Sequence, residues 1–149
     1  MRQTGLEAAR GHRVFGTGGA VDAVTLIWDG RELRARRRAA GWQVDGRDAD
    51  RATAGALDDL VEMLAGLRAI DAFRARDAGS YGLGTPQGTI ELRGGTSARR
   101  LVVGGINAAG SAYYARRDGD ARVLQVGIGL GSSIERVFYV RDRQRPEIG

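Results

Sequence analysis

The stretch that decides the fold runs from Ala78 to Arg117, AGSYGLGTPQGTIELRGGTSARRLVVGGINAAGSAYYARR. It opens on Tyr81-Gly82-Leu83-Gly84-Thr85-Pro86, a turn-rich corner in which glycine permits positive φ and Pro86 fixes its own. TIELR and RRLVV then form two extended arms around Gly94-Gly95-Thr96-Ser97, which predicts a hairpin with a four-residue loop. Gly104 to Gly110 reads as a longer loop. Ala112 to Arg116 and Arg122 to Val126 predict a further hairpin around Asp118-Gly119, a strong two-residue turn signal.

Upstream, AVDAVTLIWDGRELRARRR from Ala20 places two extended runs on either side of Asp29-Gly30, the same turn signal. In the second run Leu33, Ala35 and Arg37 share one face, whereas Arg34, Arg36 and Arg38 share the other as a row of guanidinium groups. That row is read as a solvated face that blunts edge pairing, with a binding stripe as its functional alternative. Ala40-Gly41 turns the chain into Trp42-Gln43-Val44, a short strand whose Trp42 is expected to cap the core. Between Arg47 and Ala69 the period changes from two to 3.6. Thr53, Leu57, Leu60, Val61, Leu64 and Leu67 form one apolar stripe, with Arg51, Asp58, Asp59 and Glu62 off it. Asp48 or Asp50 is the expected cap, with acids in the first turn and Arg68 in the last matching the helix dipole. Ala69 to Ala75 reads as a short connection, Gly127 to Ser133 as a glycine-rich loop, and Ile134 to Phe138 as a short segment of open type. Strands in runs around a single principal amphipathic helix predict an α+β domain with a mainly antiparallel sheet built of hairpins. The expected organisation is a flexible lead-in over residues 1–20, one domain over 21–143 and a polar tail over 144–149.

At 149 residues the chain fits one domain able to bury a sizeable core without staples. It has no cysteine, which removes disulfide and thiolate chemistry. All 23 basic residues are arginine, a pattern that GC-rich coding bias explains better than a designed surface. The charge is uneven: Asp45 to Glu62 holds six acids and two arginines, net −4, leaving 21 arginines against 12 acids elsewhere, net +9. Such a balance suits nucleic acid, anionic lipid or an acidic protein face. No apolar run approaches the ~18 residues of a spanning helix, and the first residues lack the apolar stretch of a signal peptide. The expectation is a soluble chain without an address.

The chemistry-bearing residues do not assemble into an enzyme. Histidine occurs once, at His12, so neither a histidine-based triad nor a multi-histidine metal site is available. Asp58 and Asp59 are adjacent on a helix and point about 100° apart, as solvated acids rather than a converging pair. Asp118 and Asp120 flank a glycine where aspartate is favoured for backbone reasons, and a calcium loop needs more ligands. Gly127-Ile128-Gly129-Leu130-Gly131 resembles a dinucleotide-binding turn, but only 18 residues follow, with no second strand and acid. No catalytic residue, cofactor or metal is therefore expected. For nucleic acid, Arg34, Arg36 and Arg38 with Arg99, Arg100, Arg116 and Arg117 would meet phosphates, while Trp28, Tyr113 or Tyr114 would stack. Tyr113 and Tyr114 point to opposite faces, so one of the two is expected in the core.

The ordered set of Gly41-Trp42-Gln43-Val44, the helix ending LAGLRA, SYGLGTPQGTIELRGG, RRLVVGG, SAYYARRDGDARVLQV and Val140-Arg141-Asp142-Arg143 is distinctive. It resembles a bacterial domain family of unknown function, often repeated in tandem behind a membrane anchor and encoded beside gliding-motility-type ABC transporter auxiliary proteins. The resemblance covers Val21 to Arg143 and carries over to Trp42, Tyr81, Gly82, Leu83, Pro86, Gly104, Tyr113, Tyr114, Arg141, Asp142 and Arg143, as turn, core and boundary features. It implies a non-catalytic interaction domain on the extracytoplasmic side of the envelope, in contact with an ABC permease or auxiliary subunits or with itself. The sequence shows one unit and no membrane helix where relatives often carry an anchor and further units, so the expectation is either a segment of a longer protein or a standalone paralogue. The alternative reading is a basic nucleic-acid-binding module, which would leave a cytoplasmic location open.

Overall fold

Each Asp-Gly pair closes a hairpin. In the computed structural model, which describes residues 13–15 and 20–144, Asp29 and Gly30 both adopt positive φ, 53° and 77°. This mirror-image turn matches the twist of the strands it joins, β1 (Ala23–Trp28) and β2 (Arg31–Arg38). After β3 (Gly41–Val44) a second such turn, Asp45-Gly46 with φ of 52° and 82°, adds β4 (Arg47–Asp48). The sequence pattern instead predicts those two residues at the start of the helical region, and the Asp45-Gly46 turn pairs them with β3. Next come α1 (Arg51–Gly66), β5 (Asp71–Arg74), a 3-10 turn at Ala78–Tyr81, β6 (Gly88–Gly94), β7 (Ser97–Ile106), β8 (Ala112–Arg117), β9 (Arg122–Gly127) and α2 (Gly129–Arg143). Gly94 pairs with Ser97, so the expected four-residue loop tightens to Gly95-Thr96.

All nine strands form one sheet in the order β4-β3-β2-β1-β6-β7-β8-β9-β5, with every neighbouring pair antiparallel. The fold is thus α+β with an antiparallel sheet, as the hairpin pattern predicts. β5 was hidden in the 69–75 connection because four residues show little periodicity, yet pairing with β9 makes it an edge of the sheet.

Alternation sends one set of side chains to a single core. Val24, Leu26 and Trp28 of β1, Leu33 and Ala35 of β2, Ile90 and Leu92 of β6, Leu101 and Val103 of β7 and Leu124 and Val126 of β9 cluster there. Ala56, Leu57, Leu60 and Leu64 of α1 and Leu130, Ile134, Val137 and Phe138 of α2 pack against them, so both helices cover the same face. The Asp50 carboxylate caps α1 by accepting from the Thr53 amide at 2.8 Å. The helix ends at Gly66, with no acid in its first turn and no base in its last, so Arg68 lies beyond the dipole it was expected to match.

α2 runs for 15 residues, well beyond the 134–138 segment read from sequence. Gly129, Gly131, Ser132 and Ser133 are poor helix formers and masked its first turn. Packing overrides them: a Cβ on Gly131 would sit 2.1 Å from the Tyr113 hydroxyl, so this turn must be bare to approach the sheet.

Two further segments differ from expectation. Val14 and Phe15, within the expected flexible lead-in, are only 3% exposed and belong to the core. The Val14 amide donates to Leu67 O at 2.8 Å, and Arg13 bridges Arg68. The rest of that lead-in, including His12, and the tail beyond Gln144 lie outside the described residues. Gln144, assigned to the tail, ties the end of α2 to the start of α1: its Nε2 donates to Asp48 O at 3.0 Å, and its Oε1 accepts from the Asp50 amide at 3.1 Å.

Truncating Leu60 or Leu64 to Ala should cost about 2–5 kcal/mol in denaturant titrations, and Ile134→Ala a similar amount. A near-neutral result at all three would contradict a sheet covered by both helices.

Candidate functional site

Of the residues singled out by resemblance, Trp42, Tyr81, Gly82, Gly104, Tyr113 and Arg141 lie where separate elements of the fold meet. The Tyr81-Gly82-Leu83 turn lies against β7, where the pairing with β8 shifts register between Val103 and Ile106. A Cβ on Gly104 would sit 2.4 Å from Tyr81 O and 3.0 Å from Leu83 Cδ2, and one on Gly82 would sit 2.6 Å from the Gly105 amide nitrogen. Backbone therefore packs on backbone. The contact sets the Tyr81 ring 4.8 Å from Tyr114 and 5.2 Å from Phe73, an aromatic triad on the face away from the helices. Pro86 is exposed beside it, next to the Asp29-Gly30 turn. Tyr113 points the other way, buried edge-on to Trp28 at 5.6 Å. Burial raises its phenol pKa, and the Glu135 carboxylate adds to the rise.

Trp42 is buried and its indole Nε1 donates to Asp58 Oδ1 at 2.9 Å, while the Arg37 guanidinium stacks 4.4 Å above the ring. Asp58, expected to be merely solvated, thus fastens α1 to β3, and Asp59 pairs with Arg136 of α2 at 2.8 Å. At the end of α2, Arg141 donates to Glu32 O at 2.7 Å and pairs with Asp45 at 3.2 Å. Its guanidinium and that of Arg31 stand 5.0 Å and 4.6 Å from the buried Phe138 ring. Asp142 pairs with Arg141 at 2.9 Å, and Arg143 donates to the Tyr139 hydroxyl at 3.0 Å.

Arg34, Arg36 and Arg38 stand exposed on the helix-free face, as the alternation of β2 predicts. β1 offers only Ala23 and Thr25 beside them, and β6 follows with Glu91 and Arg93. Small side chains between two charged rows leave a trough of about 560 Å³, closed at one side by Gln43 and Gly46. Arg34 pairs with Glu32 at 2.6 Å and Arg93 with Glu91 at 2.8 Å, whereas Arg36 has no ion pair among the described residues. By strand parity, Arg100 and Arg116 point to this face, and Arg99 and Arg117 to the helix-bearing one. The arginines grouped in sequence therefore divide between two surfaces. Trp28 and Tyr113 are in the core and Tyr114 is in the triad, so all three aromatic stacking candidates are engaged in packing.

The turn after β8 contains a second charged cluster. The Asp120 carboxylate accepts from the Arg122 side chain at 2.9 and 3.1 Å, from the Arg122 amide at 2.9 Å and from Arg117 at 2.8 Å. These bonds, the Arg122 side chain's first, hold its pKa well below the ordinary carboxylate range despite the opposing effect of burial. The sequence suggested only a turn-forming role for Asp120, because the arginines that converge on it do so through the hairpin. Among the described residues no three His, Cys, Asp or Glu side chains are grouped as a metal site requires. No helix there is long and apolar enough to cross a membrane.

Gly104→Ala should lower stability by more than about 1 kcal/mol through overpacking, whereas Gly129→Ala, with open space at its Cβ, should not destabilise. Urea midpoints for the two variants check this. For Asp120, the folded carboxyl binds its proton only at lower pH than the unfolded one, so the unfolded chain holds more protons in between and stability rises with pH there. Asp120→Asn should cost roughly 1–3 kcal/mol at neutral pH, and its deficit relative to wild type should shrink as pH falls below about 3.9. A deficit constant down to pH 2 would contradict the depressed pKa.

No curated protein and no solved structure matches the chain. A family model does, over residues 21–144, which span the strands and helices of the described residues. The chain accordingly belongs to the family described as domain of unknown function (DUF4340).

Proposed function

We propose that this chain is a non-catalytic interaction domain of a bacterial envelope ABC transport system, and that it receives an acidic segment of a permease or auxiliary subunit in the trough of the helix-free face. The observation that carries the reading is the exposed row of Arg34, Arg36 and Arg38 facing Arg93 across a floor of Ala23 and Thr25. A guanidinium binds a carboxylate through two parallel N–H bonds, and exposed arginines incur little desolvation until the partner arrives. An extended acidic segment fits because successive side chains of a strand repeat along one face at the same spacing as the β2 arginines. The transport context and the extracytoplasmic location rest on the family resemblance.

The same face also carries Arg100 and Arg116, which favours a second reading, binding to the phosphate backbone of nucleic acid. That reading predicts affinity that falls steeply with salt, without need of a particular protein.

The test is affinity purification of the tagged chain from gently solubilised cells after nuclease treatment, followed by mass spectrometry, in parallel with an Arg34→Ala, Arg36→Ala, Arg38→Ala variant. The expected result is recovery of an ABC permease or auxiliary subunit with wild type and its loss with the variant. Each substitution should change stability by less than about 0.5 kcal/mol. Recovery of the chain alone, recovery independent of the arginines, or nuclease-sensitive partners only would overturn the proposal.

A further inference from the structure

A second concave surface lies on the helix-bearing side, at the end of the sheet where the β6–β7 and β8–β9 turns meet. Its volume is about 720 Å³, and Arg74, Arg99, Arg117 and Arg122 line it with Asp118 and Asp120 as the acids among the described residues, a balance of +2; Arg100 borders it with its side chain turned to the other face. Val14 and Phe15 wall it on one side.

The arginines differ in how their charge is met. Asp120 accepts from both Arg117 and Arg122. Arg74 and Arg99 have no ion pair among the described residues, and the Nε of Arg99 is buried without a hydrogen-bond partner. Arg74 moreover stands directly opposite Arg122 in the β5–β9 ladder, and like charges in that position repel. Arg99 is tethered through its Nη1 to Phe15 O and Arg117 through its Nη1 to Val14 O. Those contacts hold their side chains in place by main-chain oxygen, which carries no formal charge.

A guanidinium whose Nε is buried without a partner, as in Arg99, is costly to the fold unless an acceptor is supplied. The missing component is a compact group with several negative charges, since one carboxylate offsets only one of the two arginines, Arg74 and Arg99, that lack an ion pair. We infer that this cavity is a binding site for a small phosphate-bearing molecule, held by Arg74 and Arg99 at the end of the sheet. Its volume lies within the range that encloses a ligand of nucleotide or sugar-phosphate size. The site is separate from the trough, which lies on the opposite face, and does not depend on the function proposed for it.

The experiment is a calorimetric titration of inorganic pyrophosphate into the full chain at constant ionic strength, repeated with citrate. Saturable 1:1 binding of pyrophosphate, tighter than that of citrate, is expected, with amide NMR shifts centred on Ala98, Gly119 and Ala121. Arg74→Glu should weaken binding at least tenfold, while the Arg34, Arg36, Arg38 alanine variant should bind as wild type. Arg74→Ala, a change at an exposed edge position, provides the same comparison if the charge-reversal variant fails to fold, with a smaller loss expected. Absence of saturable binding, stronger binding of citrate, loss in the trough variant, or retention in the Arg74 variants would each overturn the inference.

Discussion

Both helices lie on one side of a nine-stranded antiparallel sheet, and this asymmetry governs what every strand can carry. Removing apolar surface from water is the main driving force for folding, and here it acts on alternate residues only. Leu26, Leu33, Ile90, Leu101 and Leu124 meet α1 and α2 in one continuous core. Among the described residues no helix covers the opposite face, which is completed in two ways. At the β5 end an aromatic triad and the Tyr81-Gly82-Leu83 turn form a thin second layer, with Val123 buried nearby outside the main core. At the β2 end the face remains open and is polar, which leaves Arg34, Arg36 and Arg38 in water.

Polar contacts locate the helices on this core. Asp58 receives the Trp42 indole N–H and the Arg37 guanidinium, so α1 can sit over β3 in one register only. Phe138 is flanked by Arg31 and Arg141, which makes the end of α2 dependent on β2 and on the Asp45-Gly46 turn. Gln144 closes the arrangement by bonding at both ends of its amide to the entry of α1. Exposed ion pairs of this kind each contribute little to stability. Their consequence is geometric, because the cation–π and hydrogen-bonded partners specify which way each helix faces.

The fold also separates an almost uniformly basic set of side chains into two surfaces. In the trough, Glu32 and Glu91 partly balance the arginines, and the remaining field is broad and accessible. At the sheet end the arginines converge from four strands, with one carboxylate held by two of them. A shallow open row suits an extended partner, whereas a concave cluster suits a compact one. The two surfaces therefore call for anions of different shape, even though arginine supplies the positive charge of both.

Local pattern was sufficient for the Asp29-Gly30 and Asp118-Gly119 hairpins, α1 and the α+β class, but not for the Asp45-Gly46 turn and β4. Asp29-Gly30 and Asp118-Gly119 mark turns through their own backbone preferences, and the stripe from Thr53 to Leu64 marks its buried face through 3.6-residue spacing. The exposure of Arg34, Arg36 and Arg38 was legible for the same reason, since strand alternation needs no distant partner. What sequence by itself could not decide were features whose cause lies far along the chain. The first turn of α2 forms against propensity because Gly131 fits under Tyr113, β5 exists because β9 pairs with it, and Val14 and Phe15 are ordered by Leu67, Arg99 and Arg117. The grouping of Arg74 with Arg99 and Arg122 belongs to the same class, because only strand order brings positions so far apart in sequence to one end of one sheet.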